Sequence, residues 1–166
     1  MESARLSTSG EGSTASRSTK PPTGTLKDLH HECFACGIGN HAGLNLHFHL
    51  DHDGIANAVW KPSPAFRSYP DRVHGGVIAT VLDSSIVHAL FAKGVAGVTA
   101  ELTIRYLHSV TITEPIHVRG WVESHRHGMY RCLAEVHQAG VLAVRASAKF
   151  MAMPNGDETK GSVNNS

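Results

Sequence analysis

Between Arg72 and Lys93 the chain carries one charged side chain, Asp83, in the run Val73-His74-Gly75-Gly76-Val77-Ile78-Ala79-Thr80-Val81-Leu82-Asp83. A carboxylate among Val, Leu, Ile and Phe side chains is costly to bury unless something binds it or uses it. The paired glycines open an apolar helix, and a helix start leaves backbone N–H groups without intrahelical partners. Such amides, at the positive end of the helix dipole, suit an oxygen that gains negative charge. An acid about two turns further on supplies a base or a nucleophile. Together these residues can hold a carbonyl at Gly75 and Gly76 and attack it from Asp83. The structural alternative is a tight turn at His74-Gly75-Gly76, with Asp83 neutralised by an arginine such as Arg105 or Arg119. Burial is expected to raise the Asp83 pKa, with nearby donors opposing the shift. His74 is expected to shape the turn and not to act as a base.

Cys33 and Cys36 form a C-x-x-C with His30, His31 and His41 nearby. Zinc and redox chemistry both use such pairs. A structural zinc needs four ligands, however, and no second C-x-x-C exists. Thioredoxin-type chemistry wants the pair opening a helix after a strand, whereas a Gly/Asn/His loop and a strand follow here. No metal is therefore expected. Thr99 reads by itself as a β-forming residue. The turn "HRHG" and Arg131 offer cations for phosphates, or are simply solvated hairpin residues.

The 166 residues suffice for one domain with a core. Hydrophobic residues at 41% against 17% charged fit a globular chain and exclude a disordered one. A net charge of +1 leaves no electrostatic footprint for nucleic acid or an anionic membrane. No apolar run reaches the roughly 18–20 residues that span a bilayer. The Ser/Thr/Gly-rich start lacks an apolar h-region and carries Glu2 and Glu11, so it does not read as a signal peptide. Residues 1–25 and 154–166 are expected to be flexible tails around one domain at 26–153. The three cysteines leave one unpaired in any pairing, which argues for a reducing, cytoplasmic setting.

Period-two alternation marks the strands. "GLNLHFHL" at 43–50 and "IANAVWK" at 55–61 flank the hairpin signal Asp53-Gly54. "PSPAFRSYPDR" has three prolines in eleven residues and is expected as a surface loop. A helix follows from about Gly75 to Ala92. Its apolar residues nearly encircle it, as in a core helix, and Lys93-Gly94 stops it. Four alternating segments then begin near Glu101, Ile116, Tyr130 and Leu142. The connections "SVTITEP", "HRHG" and "HQAG" are short enough for antiparallel neighbours throughout. A one-sided sheet needs a cover, and the apolar helix supplies it: an α+β domain with a long helix across a curved antiparallel sheet.

"CFACGIGNHAGLNLHF", "VHGGVIATVLDSS", "GVTAELTIRYL" and "HRHGMYRCLAEVHQAGVLAVRASAKF" together cover Cys33 to about Met153. In these passages the chain resembles the hotdog-fold acyl-CoA thioesterases, in particular the phenylacetate-pathway and 4-hydroxybenzoyl-CoA branch. The resemblance implies a hotdog fold, a homodimer with a continuous sheet and a pairing of dimers. It implies acyl-CoA as substrate, with a small, medium-chain or aryl acyl group, and no cofactor beyond the CoA of the substrate. Asp83 matches the acid that serves as base or nucleophile, and Gly75 the glycine whose N–H polarises the carbonyl. Thr99 matches a Ser/Thr that helps place water, while His74 and Gly76 complete the substrate-binding turn. Some relatives carry an Asn or Gln ahead of H-G-G. The aligned position here is near Ser68, and "FRSYPDRVHGG" has no amide side chain. That departure leaves a serine for the task, or else a non-catalytic acyl-CoA or lipid-binding protein as the alternative.

Overall fold

The computed structural model describes residues 28–153, and the expected tails lie outside the described residues. Strands β1 (His49–Leu50) and β2 (Ala56–Trp60) form the first hairpin. Two short strands follow, β3 (Arg67–Tyr69) and β4 (Arg72–Val73), and then the single long helix α1 (Gly75–Ala92). Strands β5 (Gly97–Tyr106), β6 (Ile116–Arg126), β7 (Met129–Gln138) and β8 (Val141–Ala152) complete the domain. Six strands make one antiparallel sheet in the order β1-β2-β6-β7-β8-β5, and β3-β4 form a small separate sheet. The helix covers one face of the large sheet, which is the expected α+β hotdog architecture.

The helix lies where the sequence predicts. Contrary to the expectation that no segment reaches spanning length, α1 with its 18 residues and a mean hydropathy of 1.5 could by length and composition cross a bilayer. Here it is the core helix instead: nine of its residues, among them Ile78, Val81, Leu82, Ile86 and Leu90, are buried under the sheet. They pack on Ile116, Val118, Cys132, Ala134, Val136, Val144 and Phe150. Gly120 on β6 permits the closest approach, because a Cβ there would lie 2.5 Å from the Ser85 carbonyl carbon. The two tight turns of the β6-β7-β8 meander place His127-Gly128 and Ala139-Gly140 at positive φ, the two-residue geometry that matches strand twist.

Three expectations are corrected. The segment 43–50 is not one strand: only His49–Leu50 pairs with β2. Leu44 and Leu46 are buried and their N–H groups donate instead to the carbonyls of Phe34 and Ala35, with Asn45 between them at positive φ, and Leu50 is exposed. The proline-rich stretch is not merely a loop, since Arg67–Tyr69 pairs with Arg72–Val73. Finally, "SVTITEP" does not join neighbouring strands. Strand β5 pairs with β8, and β6 pairs with β2 and β7. The link crosses the sheet instead, anchored by buried Val110 and by Gln138, which bonds the backbone of Thr111 and Glu114. Alternation reveals which face of a strand is buried but not which strand lies beside it. Strand β5 is thereby left at an open edge of the sheet.

Candidate active site

The start of α1 is built by His74. Its extended backbone ends the preceding strand, and its Nδ1 accepts the Gly76 N–H at 3.0 Å. The Val77 N–H donates to the His74 carbonyl. Gly75 N–H, the first amide of the helix, has no hydrogen-bond acceptor among the described residues. Of the two glycine amides expected to grip an oxygen, that of Gly76 is thus engaged, and Gly75 supplies the free donor. Tyr106 at the end of β5 donates its hydroxyl to the Gly75 carbonyl at 2.7 Å, and burial raises the Tyr106 pKa. A Cβ on Gly75 would meet the Tyr106 ring at ordinary contact distance, 3.5–3.6 Å. The glycine is therefore not required by packing within the protomer.

Asp83 follows Gly76 and Thr80 along one stripe of α1, the one not covered by the sheet interior. Thr99 near the start of β5 donates its hydroxyl to Asp83 Oδ1 at 2.7 Å. Burial raises the Asp83 pKa, and the Thr99 bond and the His30 charge oppose that rise. Neither arginine considered as a neutraliser is near it. Arg105 lines a groove of about 430 Å³ on the sheet face turned away from α1, and Arg119 lies over the Trp121 ring at 5.5 Å on that same face. Arg131 pairs with Glu123 at 2.7 Å on the surface.

Strand β5 runs antiparallel to α1, with Thr99 beside the acid and Tyr106 beside the free amide. Both features therefore face the open sheet edge. A cleft of about 360 Å³ opens at the Gly75 end, lined by Ser68, Tyr69, Arg72, Gly75, Ile78 and Tyr106 with residues 107–110. Ser68 thus lines the same cleft as Gly75. Asp83 does not line this cleft. Eight residues of helix place Gly75 and Asp83 about 12 Å apart along the axis, too far for one carbonyl to be held by the first and attacked by the second of the same helix.

Two neighbours of these residues were not singled out as site residues by sequence reasoning. Tyr106 looked like one more apolar strand position. His30 was noted beside the cysteines but not beside the acid, from which it is far in sequence. Its ring stands edge-on to Phe91 of α1, and burial lowers its pKa while Asp83 opposes that shift. Cys36 is raised to about 12, chiefly by burial, so its thiol is protonated at neutral pH and is not a free thiolate nucleophile.

Residues 71–144 match the family model of the thioesterase superfamily. No curated protein matches the chain. Among solved structures, a thioesterase superfamily protein shares 25% identity with a TM-score of 0.67, covering 70% of this chain. The chain in turn spans only 61% of that protein. A thioesterase protein from Streptococcus pneumoniae TIGR4, crystallised with coenzyme A, shares 18% identity at TM-score 0.61, over 65% of this chain and 88% of that one. Structures titled as that thioesterase also exist with alanine in place of an aspartate and of a threonine sixteen residues apart. A phenylacetic acid degradation-related protein from Ralstonia eutropha JMP134 shares 18% identity at TM-score 0.63, covering 76% and 98% of the two chains. The match over residues 71–144 and the shared fold agree with the resemblance read from the sequence, a hotdog fold similar to that of the thioesterase superfamily.

Proposed function

We propose that the protein is a cytoplasmic acyl-CoA thioesterase, releasing a free acid and CoA from a small, medium-chain or aryl acyl thioester without a further cofactor. The observation that carries this reading is the acid–hydroxyl pair Asp83–Thr99 on the same open edge as the free Gly75 amide. The spacing of that pair is sixteen residues, the spacing of the aspartate and threonine replaced in the Streptococcus pneumoniae protein. The coenzyme A bound to that relative supports the substrate class, and the Ralstonia eutropha relative's link to phenylacetic acid supports an aryl acyl group.

The gap of about 12 Å along α1 leads to a two-copy site. A second protomer, packed against the β5 edge as a homodimer, brings the Asp83 of one helix to the Gly75 of the other. The acyl thioester then enters between the copies with its carbonyl oxygen on the Gly75 N–H. Asp83 takes a proton from water, which adds to the carbonyl carbon, and the C–S bond breaks as the CoA sulfur leaves and is protonated. Alternatively the Asp83 carboxylate attacks first, CoA leaves, and water opens the mixed anhydride. Thr99 orients the carboxylate in both versions.

The test is a thiol-release assay over short, medium, long and aromatic CoA esters with the purified protein. The expected result is saturable release on at least one ester class. Tight binding of CoA esters with no release across the panel would favour the non-catalytic acyl-CoA-binding reading, to which the missing loop amide near Ser68 lends support.

A further inference from the structure

The segment ahead of β1 brings His30, Cys33 and Cys36 into one cluster, with a donor atom of each within 4.8 Å of the others. This is the only such cluster among the described residues. The Cys36 Sγ lies 3.6 Å from His30 Nδ1. A tetrahedral zinc with ordinary Zn–S and Zn–N bond lengths holds its sulfur and nitrogen ligands about 3.6 Å apart. The pair is thus already spaced for an ion.

The backbone around the cluster is built to keep that spacing. The Cys33 N–H donates to the His30 carbonyl at 3.0 Å, and the Gly37 N–H to the Cys33 carbonyl at 2.8 Å. These bonds fold H-x-x-C-x-x-C-G into two successive turns. Gly37 is needed there, because a Cβ would come within 2.3 Å of the Cys33 backbone nitrogen. The Phe34 and Ala35 carbonyls then accept the Leu44 and Leu46 N–H groups. His30 packs edge-on against Phe91 of α1 at 4.8 Å, so the cluster is docked on the helix and does not hang from the surface.

We propose that His30, Cys33 and Cys36 form a Cys₂His site for a borderline-soft divalent cation of the zinc class, with the fourth position taken by water or another ligand. Two thiolates and an imidazole select such an ion over magnesium or calcium, which prefer oxygen ligands. The proposal departs from the expectation of no metal: that expectation counted His30 among nearby histidines, and the fold gathers it with both cysteines. The three ligands all come from the segment preceding β1, so the ion cross-links that segment within itself, beside the C-terminal end of α1 that His30 touches through Phe91. It takes no step in thioester hydrolysis, so the proposal stands or falls independently of that activity.

The test uses the full chain purified without a histidine tag under reducing conditions. Zinc content is measured by elemental analysis, and the protein stripped by chelator is titrated with cobalt(II). The expected result is about one ion per chain and a sulfur-to-cobalt charge-transfer band with the visible d–d bands of a tetrahedral centre. Surface histidines among the thirteen cannot produce that band. Cys33→Ser and Cys36→Ser are expected to abolish it, and Cys132→Ser, which alters the buried cysteine of β7, to retain it. Absence of the band from the wild-type chain overturns the proposal whether or not the variants fold. So does a band that survives in the Cys33→Ser, Cys36→Ser double variant, or a Cys33–Cys36 disulfide with no metal in the protein as isolated.

Discussion

Asp83 sits in an environment with two opposed demands: the surrounding apolar helix penalises its charge, while Thr99 and His30 favour it. Because burial prevails, its pKa lies above the ordinary 3.8. The folded state therefore takes up this proton more readily than the unfolded chain. Its contribution to stability is full below the ordinary value and is lost as pH rises through the raised one. Above its raised pKa the ionised acid is a cost, so there Asp83→Asn should raise the melting temperature while lowering kcat about 10²–10⁴-fold. A variant that melts lower than the wild type would show that the charge is stabilising. For the proposed hydrolysis the sign is opposite: a base must be ionised, so kcat/KM should fall as pH drops through the Asp83 pKa. Thr99→Val removes a hydrogen bond to the carboxylate and should move that acid limb to higher pH. A pH–rate profile unchanged by Thr99→Val would remove the threonine from the site. Gly75→Ala tests the other half. The methyl group has room beside Tyr106 within the protomer, so the fold should persist, while turnover should fall because the added group crowds the cleft beside the Gly75 amide.

At the scale of elements, the helix was legible to the residue. The H-G-G entry, the encircling apolar residues and the Lys93-Gly94 stop each have a direct local cause. The meander β6-β7-β8 was equally legible, because its two-residue turns fix both partner and register. The position of β5 was not. Its alternation of Leu102 and Ile104 with Glu101 and Thr103 is that of any half-buried strand, and only the crossing of 107–115 under Gln138 sends it to the far edge. Contacts between Asp83 and Thr99, or between Gly75 and Tyr106, depend on that placement. Thr99 entered the reading of the sequence as a site residue only by resemblance. The packing of α1 on β6 makes a further prediction. Gly120→Ala would force its Cβ into the backbone and Oγ of Ser85, so it should destabilise the domain by about 1–3 kcal/mol, read from a chemical denaturation midpoint. A change within a few tenths of a kilocalorie would mean that the helix can lift away from the sheet without loss.

For the whole molecule, the open edge at β5 is the decisive feature. Val98 and Tyr106 are each half exposed there, and Met151 of the adjoining strand matches them. Unpaired strand edges invite another strand, and the distance between Gly75 and Asp83 along one helix calls for a second helix. Analytical ultracentrifugation should therefore find a dimer or a pair of dimers, and Val98→Lys should shift it toward monomer and lower turnover together. A fully active monomer would contradict the two-copy site. The claim beneath all of these is that the Asp83 carboxylate carries out thioester hydrolysis. Its most direct test is steady-state thiol release by wild type and Asp83→Asn on the best CoA ester of the panel, with folding and oligomeric state verified in both. The account predicts that the variant still binds the ester but loses at least a hundredfold in kcat, roughly the lower bound for a positioned base. Turnover retained at the wild-type rate would contradict it.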